Sequence, residues 1–224
     1  MCGRYLMHAP PELLAELFEL QEIPIVTPRY NIAPTQQVLA CRQTDKGREL
    51  VALHWGLIPS WADDSKIGYK MINARSDGVA TKPSYRSAFK KRRCLIPATG
   101  FYEWQAVKGE KKKQPHLIRR KDGKPFAFAG LWEHWEKGEE PIDSCTIITT
   151  DANRTLKPIH ERMPVIVDKK DFKLWLDPKV EKGEDLEAVL KPAPDALLEA
   201  VPVGLMVNNP SYDGPKCCEP VSAA

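Results

Sequence analysis

Short apolar runs, separated by polar and chain-breaking residues, follow one another along most of the chain. These runs occupy residues 38–41, 49–55, 94–96, 101–107, 116–118, 126–131, 146–149 and 165–167. Short runs that are wholly apolar or alternate between apolar and polar positions are typical of strands. Lys108-Gly109 and Asp122-Gly123 separate neighbouring runs, as hairpin turns do. The pattern predicts many antiparallel strands.

Helical patterns are fewer and lie near the two ends of the chain. Pro10-Pro11-Glu12 followed by leucines predicts a short amphipathic helix that ends near Phe18. Apolar residues predict two further helices over 171–176 and 185–190. Strands and helices do not alternate regularly, so the predicted fold class is α+β and not a doubly wound sheet. No linker divides the chain, and we predict one domain over 1–210 with a C-terminal tail over 211–224.

Composition excludes several classes of protein. Hydrophobic residues make up 42% and charged residues 28% of the 224 residues, which is typical of a folded globular chain. No apolar run approaches the roughly 20 residues that span a bilayer, and no apolar signal segment follows Met1. We therefore expect no membrane contact and a cytoplasmic protein, associated with the nucleoid in a bacterium or with the nucleus in a eukaryote. Six cysteines without a secretion signal or a Cys-x-x-Cys pair predict free thiols and no metal.

Positive charge is concentrated in one stretch of the chain. Residues 82–124 hold fourteen Lys or Arg and three acids, a local excess of +11 in a chain whose net charge is +3. The stretch contains three basic clusters: Lys90-Lys91-Arg92-Arg93, Lys111-Lys112-Lys113 and Arg119-Arg120-Lys121. Such clusters attract polyanions such as nucleic acids. A solvated protein face gives the same pattern, so the charge alone does not decide the partner.

Cys2 is the most informative single residue. Removal of Met1 would leave Cys2 with a free α-amine beside its thiol, a 1,2-aminothiol. The two groups have ordinary pKa values of about 8 and about 8.5, so both have an accessible nucleophilic form near neutral pH. Such a pair reacts with an aldehyde, first through an imine and then by closure of a thiazolidine ring. A cysteine placed at an exposed terminus by chance is the alternative.

Five further segments combine polar residues with apolar scaffolding, as a functional site requires. They are Arg29-Tyr30-Asn31-Ile32-Ala33-Pro34, Trp55-Gly56-Leu57-Ile58-Pro59-Ser60-Trp61, Ile72-Asn73-Ala74-Arg75, Gly100-Phe101-Tyr102-Glu103-Trp104 and Ile159-His160-Glu161-Arg162-Met163-Pro164. In these motifs, from Cys2 to about Val167, the chain resembles the SOS response-associated peptidase (SRAP) proteins, which process abasic sites. The resemblance implies one SRAP-type α+β domain with a strand-rich, barrel-like antiparallel core flanked by helices. It also implies a protein that binds abasic sites in single-stranded DNA and attaches to them covalently through Cys2. We expect no cofactor, because an amine, a thiol, an acid and a histidine suffice for this chemistry, and we expect a monomer.

The catalytic residues that the resemblance implies are Cys2, Asn73, Glu103 and His160. An abasic deoxyribose is mostly a closed hemiacetal, and Glu103 between two aromatic residues suits the proton transfer that opens it. His160 suits proton transfer near neutral pH during imine and ring chemistry. Asn73 both donates and accepts hydrogen bonds, which suits holding the sugar. An ion pair for Glu103, a structural role for His160 and a turn role for Asn73 are the alternatives.

The resemblance also implies a set of DNA contacts. Arg4, Arg75 and Arg162 match arginines that contact DNA, and the guanidinium group suits phosphate oxygens. Pro34 and Trp61 match positions that stack on bases or wedge beside them, although Trp61 also fits core packing. The family often has a second aromatic residue after this tryptophan, where this chain has Ala62. The later asparagine segment of the family reads Val207-Asn208-Asn209-Pro210-Ser211 here, a second departure.

Two other classes of function fit parts of the pattern. In the first, an N-terminal-nucleophile hydrolase or cysteine peptidase, Cys2 and His160 would attack an amide, and the family name records a proposed self-processing activity. Such an enzyme turns over a peptide, whereas capture of an abasic site leaves protein joined to DNA. The second class is a non-catalytic nucleic-acid-binding module, whose binding would not depend on an abasic site.

Overall fold

The computed structural model describes residues 2–181 and 183–221 of the chain. Its strands are β1 (Tyr5–Met7), β2 (Arg29–Ile32), β3 (Gln37–Thr44), β4 (Gly47–Trp55), β5 (Asn73–Arg75), β6 (Arg93–Ala98), β7 (Gly100–Gln105), β8 (Gln114–Arg120), β9 (Phe126–Trp135), β10 (Ile142–Asp151), β11 (Arg162–Pro164), β12 (Ile166–Val167) and β13 (Leu198–Pro202). Its α-helices are α1 (Pro11–Phe18), α2 (Arg86–Lys91), α3 (Phe172–Leu176) and α4 (Gly183–Leu186). Short 3₁₀ helices cover Ser65–Lys70, Lys169–Asp171, Leu205–Asn208 and Pro215–Cys218. The predicted α+β class with a strand-rich core is confirmed.

The strands form two sheets. The first has five strands in the order β13-β8-β7-β1-β2. The second has eight strands, and within it β10, β4, β3, β6 and β9 pair in succession and close a ring, because β9 also pairs with β10. The contact between β3 and β6 is a single residue pair, Cys41 with Leu95, and that between β10 and β4 is two pairs. The core is therefore a ring of strands and not a regular barrel.

Three predicted details are wrong. The ring is not wholly antiparallel, because β10 runs parallel to both β4 and β5. The turn at Asp122-Gly123 does not close a hairpin, since it joins β8 in the first sheet to β9 in the second. Of the predicted helix over 185–190, only the part within α4 is helical, and residues 187–190 form turns. Pro192 disfavours helical geometry at the residue before it, which limits any extension of this helix.

The amino-terminal strand is anchored in the ring through Tyr5. The Tyr5 ring packs edge-on against Trp55 of β4 and Phe128 of β9, with centroid distances of 5.3 and 5.7 Å. Aromatic pairs at such distances stabilise beyond the apolar area that they bury. Strand β1 also pairs with β7, where the backbone N–H of Tyr102 donates to the Arg4 carbonyl at 2.9 Å. These contacts hold the residues before Tyr5, including Cys2, against the interior.

The described part of the predicted tail, residues 211–221, packs on the first sheet. Cys217 is fully buried in a small cluster with Leu6, Tyr102 and Leu117. The backbone N–H of Val221 donates to the Pro202 carbonyl at 3.0 Å. Residues 222–224 of the predicted tail lie outside the described residues, and the domain boundary at 210 stays a prediction.

A membrane-spanning helix would need at least 18 residues with few charges, and no described helix has that length and apolar character.

Candidate active site

Cys2 lies inside the protein with none of its surface exposed. Its backbone carbonyl accepts a hydrogen bond of 2.8 Å from the Asn73 side-chain amide. Burial raises the pKa of the Cys2 thiol well above its ordinary value, and the nearby Glu103 carboxylate raises this pKa further. The thiol is therefore held in its neutral form. Reaction as a thiolate requires a group that removes its proton at the time of reaction.

Glu103 lies on β7 and is only 3% exposed. Its neighbours Tyr102 and Trp104 point to the opposite face of the strand, because successive side chains alternate. On that face, the Tyr102 hydroxyl donates to the Tyr30 carbonyl at 2.8 Å, and the Trp104 indole donates to Asn208 Oδ1 at 2.6 Å. Two anchored aromatic residues thus fix the strand that carries the carboxylate towards Cys2.

Strand β10 brings Asn73 and the segment of His160 to neighbouring positions. Asn73 on β5 lies opposite Ile147 of β10, and β11, which begins two residues after His160, pairs with residues 149–151 of the same strand. The backbone N–H of Arg162 donates to Nδ1 of His160 at 3.0 Å. This bond ties the imidazole ring to the start of β11, and an imidazole ring can both donate and accept a proton.

Asn73 holds an open acceptor in the same region. Its amide nitrogen is used by Cys2, and its backbone carbonyl accepts from the Tyr85 hydroxyl at 3.3 Å. Its side-chain Oδ1 is buried and has no hydrogen-bond partner among residues 2–181 and 183–221. Buried acceptors are nearly always paired in folded proteins. An unpaired one beside the nucleophile is suited to a donor on a ligand.

The three arginines that sequence reasoning assigned to DNA lie in different environments. Arg75 is exposed and makes a forked contact with Asp77, at 3.1 and 2.8 Å. Arg162 is mostly buried and donates to Asp151 at 2.8 Å and to the Thr149 carbonyl at 2.6 Å. Because Thr149 pairs with Arg75 on one side and with β11 on the other, these two arginines share one edge of the site.

Arg4 lies on the first sheet and is half-buried. One guanidinium nitrogen donates to Asn31 Oδ1 at 2.9 Å and to the Val207 carbonyl at 2.7 Å. The guanidinium also lies over the Trp104 ring, 5.9 Å from its centroid. Arg4 therefore joins the amino-terminal arm to the 205–208 segment, and contact with DNA stays a prediction for this residue.

The two predicted base-contacting residues lie in loops. Trp61 is 52% exposed, which excludes the core-packing alternative. Its backbone carbonyl accepts from Lys137 Nζ at 2.8 Å, and the adjacent Ala62 is buried. Pro34 lies partly exposed in the turn between β2 and β3, next to Thr35, whose φ is 71°. A large exposed aromatic ring on a fixed loop is suited to stacking.

Sequence reasoning missed a buried polar junction between β2 and the C-terminal segment. Asn31 is fully buried and donates to the carbonyls of Val207, Asn209 and Tyr212. The Asp213 carboxylate accepts from the backbone N–H groups of Tyr30 and Asn31, at 2.5 and 2.7 Å, and from the Arg29 guanidinium. Asn31 belongs to the motif Arg29-Tyr30-Asn31-Ile32-Ala33-Pro34, but nothing in that motif indicates this role. No pattern pointed to Asp213, since its partners are remote in sequence.

Asp213 is expected to stabilise the fold above acidic pH. Partial burial opposes ionisation, but the hydrogen bonds from Arg29 and two backbone N–H groups outweigh it and lower the pKa of Asp213. Its contribution is therefore complete above the ordinary value of 3.8 and is lost as pH falls through the lowered folded pKa. Asp213→Asn should reduce the free energy of unfolding by about 1–2 kcal/mol at pH 7.

Urea denaturation of the wild type and Asp213→Asn at pH 7 and pH 3 checks this expectation. Asp45→Asn, in the exposed turn between β3 and β4, serves as the control and should have little effect at either pH. A difference between Asp213→Asn and the wild type that grows towards pH 3 would contradict the assignment.

The basic stretch does not form one cationic face. Arg93 is only 4% exposed and donates to backbone carbonyls of Phe89, Lys90 and Trp175. The neighbouring arginines of two clusters contact acids: Arg92 with Glu133, Arg119 with Glu199 and Arg120 with Asp122. Residues 82–124 therefore do not form a single cationic surface. Burial and ion pairing, which local charge counts do not register, occupy these four arginines.

The fold and the site together define a class: strand-rich α+β proteins with a buried thiol near the amino terminus beside an acid and an amide. A family model described as "SOS response associated peptidase (SRAP)" matches residues 1–210. The chain belongs to this family, so the resemblance found from the motifs is confirmed.

Similar proteins support the same grouping. The chain is 41% identical over 223 residues to abasic site processing protein YoqW of Bacillus subtilis, covering 98% of this chain and 99% of that protein. It is 35% identical over 222 residues to abasic site processing protein HMCES of Xenopus tropicalis, covering 85% of this chain and 65% of that protein. A crystal structure of a protein from Bacteroides thetaiotaomicron superposes with a TM-score of 0.87 at 26% identity, over 98% of this chain and 100% of the other.

Proposed function

We propose that this protein processes abasic sites in single-stranded DNA by capturing the ring-opened sugar covalently on Cys2. The observation that carries the proposal is the surroundings of Cys2, which is fully buried, hydrogen-bonded to Asn73 and within electrostatic reach of Glu103. The names of the YoqW and HMCES proteins, which denote abasic site processing, support it. The protein acts as a monomer and without a cofactor in this account.

The proposed chemistry needs only groups of this chain and the substrate. Once Met1 has been removed, the α-amine of Cys2 adds to the aldehyde carbon, and loss of one water gives an imine. The Cys2 sulfur then adds to the imine carbon as its own proton leaves and the ring nitrogen gains one, which closes a thiazolidine. The net change is one aldehyde and one aminothiol converted into one ring and one water.

Glu103 and His160 divide the proton transfers in this account. A buried carboxyl group beside Cys2 is placed to move a proton onto or off the sugar ring oxygen, which opens the hemiacetal. The imidazole of His160, which is held through Nδ1 to the Arg162 backbone, is suited to the protons of imine formation and of its reversal. The open Oδ1 of Asn73 is placed to accept a hydrogen bond from a sugar hydroxyl.

Two features favour a single strand over a regular duplex. A buried nucleophile is reached only by a sugar that leaves the stack, which costs least in single-stranded or damaged DNA. The exposed Trp61 offers a ring on which an unpaired base can stack. A peptidase remains the second candidate, because the family description names one.

Denaturing gel electrophoresis separates these candidates. The untagged protein should form a species that survives denaturation with an abasic single strand. A strand of the same sequence that carries tetrahydrofuran in place of the abasic sugar has no aldehyde and should give none. A peptidase would instead release peptide products and leave both strands unbound, which would contradict the proposal.

The ion pair of Arg75 and Asp77 provides a test of the DNA path. Arg75→Ala should weaken binding to a tetrahydrofuran strand and lower the slope of log K against log salt by about 0.7, the value for one phosphate contact on a single strand. Asp77→Asn should tighten binding about fivefold, because it frees Arg75 and removes a negative charge from the path. Fluorescence anisotropy over a salt series measures both quantities.

Arg120 and Asp122 form a matched control pair. They have the same spacing and the same forked contact, at 2.8 and 2.6 Å, but lie at the end of β8 that leads to the second sheet. Asp122→Asn should therefore leave binding nearly unchanged. Equal gains for Asp77→Asn and Asp122→Asn would show that only net charge matters and would remove Arg75 from the path.

A further inference from the structure

The connection between β7 and β8 is a cationic surface that pairing does not neutralise. This connection, residues 106–113, is called the lysine hairpin below; it contains Lys108, Lys111, Lys112 and Lys113 and one acid, Glu110. All four lysines are exposed. Among the described residues none of the four has an acidic partner within ion-pair distance, unlike Arg92, Arg119 and Arg120 of the other two basic clusters. Unpaired, exposed lysines are available to an external anion.

Strand directions place the root of this hairpin at the candidate active site. Because β1 runs antiparallel to β7, the chain from Tyr5 back to Cys2 runs in the direction of the hairpin. Gln105, the last residue of β7, donates from its side chain to the Pro158 carbonyl at 3.1 Å, two residues before His160. The hairpin therefore emerges near both the arm that carries Cys2 and the loop that carries His160.

The distance between the lysine hairpin and Glu103 suits contact with the first nucleotides beside the reacting sugar. Lys108 is five residues beyond Glu103, which corresponds to at most about 16 Å along a strand. A cavity of about 330 Å³ lies at the root, lined by Gln105, Ala106, Val107, Lys108, Gln114, His116 and Pro202. Its walls combine apolar groups with polar side chains such as Gln114 and His116, which suits a sugar or base, and Lys108 suits a phosphate.

We propose that the lysine hairpin holds the phosphate backbone of single-stranded DNA on one side of the abasic nucleotide. This inference rests on the proposed function, because it assigns a further part of the same DNA path. Lysine acts here as a point charge, so the contact is independent of sequence. The hairpin would thereby add affinity and set the side from which the strand leaves the site.

The test compares two triple substitutions that remove equal charge. The first is Lys111→Gln, Lys112→Gln and Lys113→Gln in the hairpin. The control is Lys169→Gln, Lys170→Gln and Lys173→Gln, on three exposed residues. Lys169 lines a cavity together with Arg120, at the end of β8 opposite the hairpin, about 20 Å from Gln114.

Binding is measured by anisotropy over a salt series on two tetrahydrofuran strands, one extended on the 5′ side and one on the 3′ side. The hairpin variant should lower the salt slope by about 0.7 for each lost contact, hence by about 1.4–2.1, on one of the two strands only. The control variant should keep the wild-type slope on both. Wild-type slopes for the hairpin variant on both strands, or equal losses in the two variants, would overturn the proposal.

The proposed function is read separately, from the cross-link of the wild type to an abasic strand. If the wild type cross-links but the hairpin variant keeps the wild-type salt slope, only the proposed hairpin contact is refuted. If the wild type never cross-links but the salt slope of the hairpin variant falls on one strand, the covalent chemistry is refuted and the hairpin is supported as a binding surface.

Discussion

Cys2→Ala should abolish the denaturation-resistant adduct with abasic DNA altogether. The substitution removes the sulfur that closes the ring and leaves at most an imine, which hydrolyses. It removes little else, since alanine fits the buried position and the hydrogen bond from Asn73 goes to the backbone carbonyl of residue 2. Binding to a tetrahydrofuran strand should therefore be nearly unchanged, which separates loss of chemistry from loss of folding.

A non-removable extension before Cys2 should have the same effect as Cys2→Ala. It converts the α-amine into an amide, which cannot form an imine, while the thiol remains. Cys218→Ser is the matched control: this thiol is partly exposed and lies 3.4 Å from the Tyr102 hydroxyl, outside the proposed chemistry. Gel assays of adduct formation compare the three proteins. An extended protein that cross-links at the wild-type rate would contradict the aminothiol mechanism.

Glu103→Gln should slow capture of an abasic site by about 10²-fold, a typical contribution of general acid–base catalysis. Glutamine keeps the size and much of the hydrogen bonding of Glu103 but cannot transfer the proton that opens the sugar ring. A simple aldehyde has no ring to open, so its reaction with Cys2 should be nearly unaffected by this change.

His160→Ala should slow both reactions, and reversal of the adduct as well, because imine chemistry is common to the two substrates. Rates of adduct formation for the wild type and both variants, on abasic DNA and on a small aldehyde, give the comparison. Equal losses for Glu103→Gln on the two substrates would refute this division of roles. His160→Gln tests whether the loss comes from the proton transfer of the imidazole or from the support that Nδ1 gives to the Arg162 backbone.

Local pattern was sufficient for the long strands of the ring. The runs in β3, β4, β9 and β10 bury apolar side chains within one strand, so their sequence carries the signal. The short strands β1, β2, β5, β11 and β13 were missed, because three to five residues carry no usable period and each is defined by its partner strand. Helix α2 was missed inside a stretch that stood out by charge.

The residues of the candidate site were likewise predictable only where a local sequence motif marked them. Cys2, Asn73, Glu103 and His160 were found through motifs whose wording resembles a family, and their roles stay predictions. Arg75 and Asp77 are only two residues apart in sequence, yet nothing in the sequence pattern distinguishes an Arg75 paired with Asp77 from an unpaired one. The junction of Asn31 with Asp213 spans more than 180 residues of chain, so only the folded topology brings it together.

Mass spectrometry of the product of untagged protein and an abasic oligonucleotide shows whether a thiazolidine forms on Cys2. We expect one species whose mass is the sum of protein without Met1 and DNA less one water. After digestion the DNA remnant should map to Cys2. It should resist reduction by borohydride, which an imine would not, and the Cys2 thiol should no longer react with an alkylating reagent. A remnant on a lysine, or a remnant on Cys2 whose thiol still reacts with the alkylating reagent, would contradict thiazolidine formation.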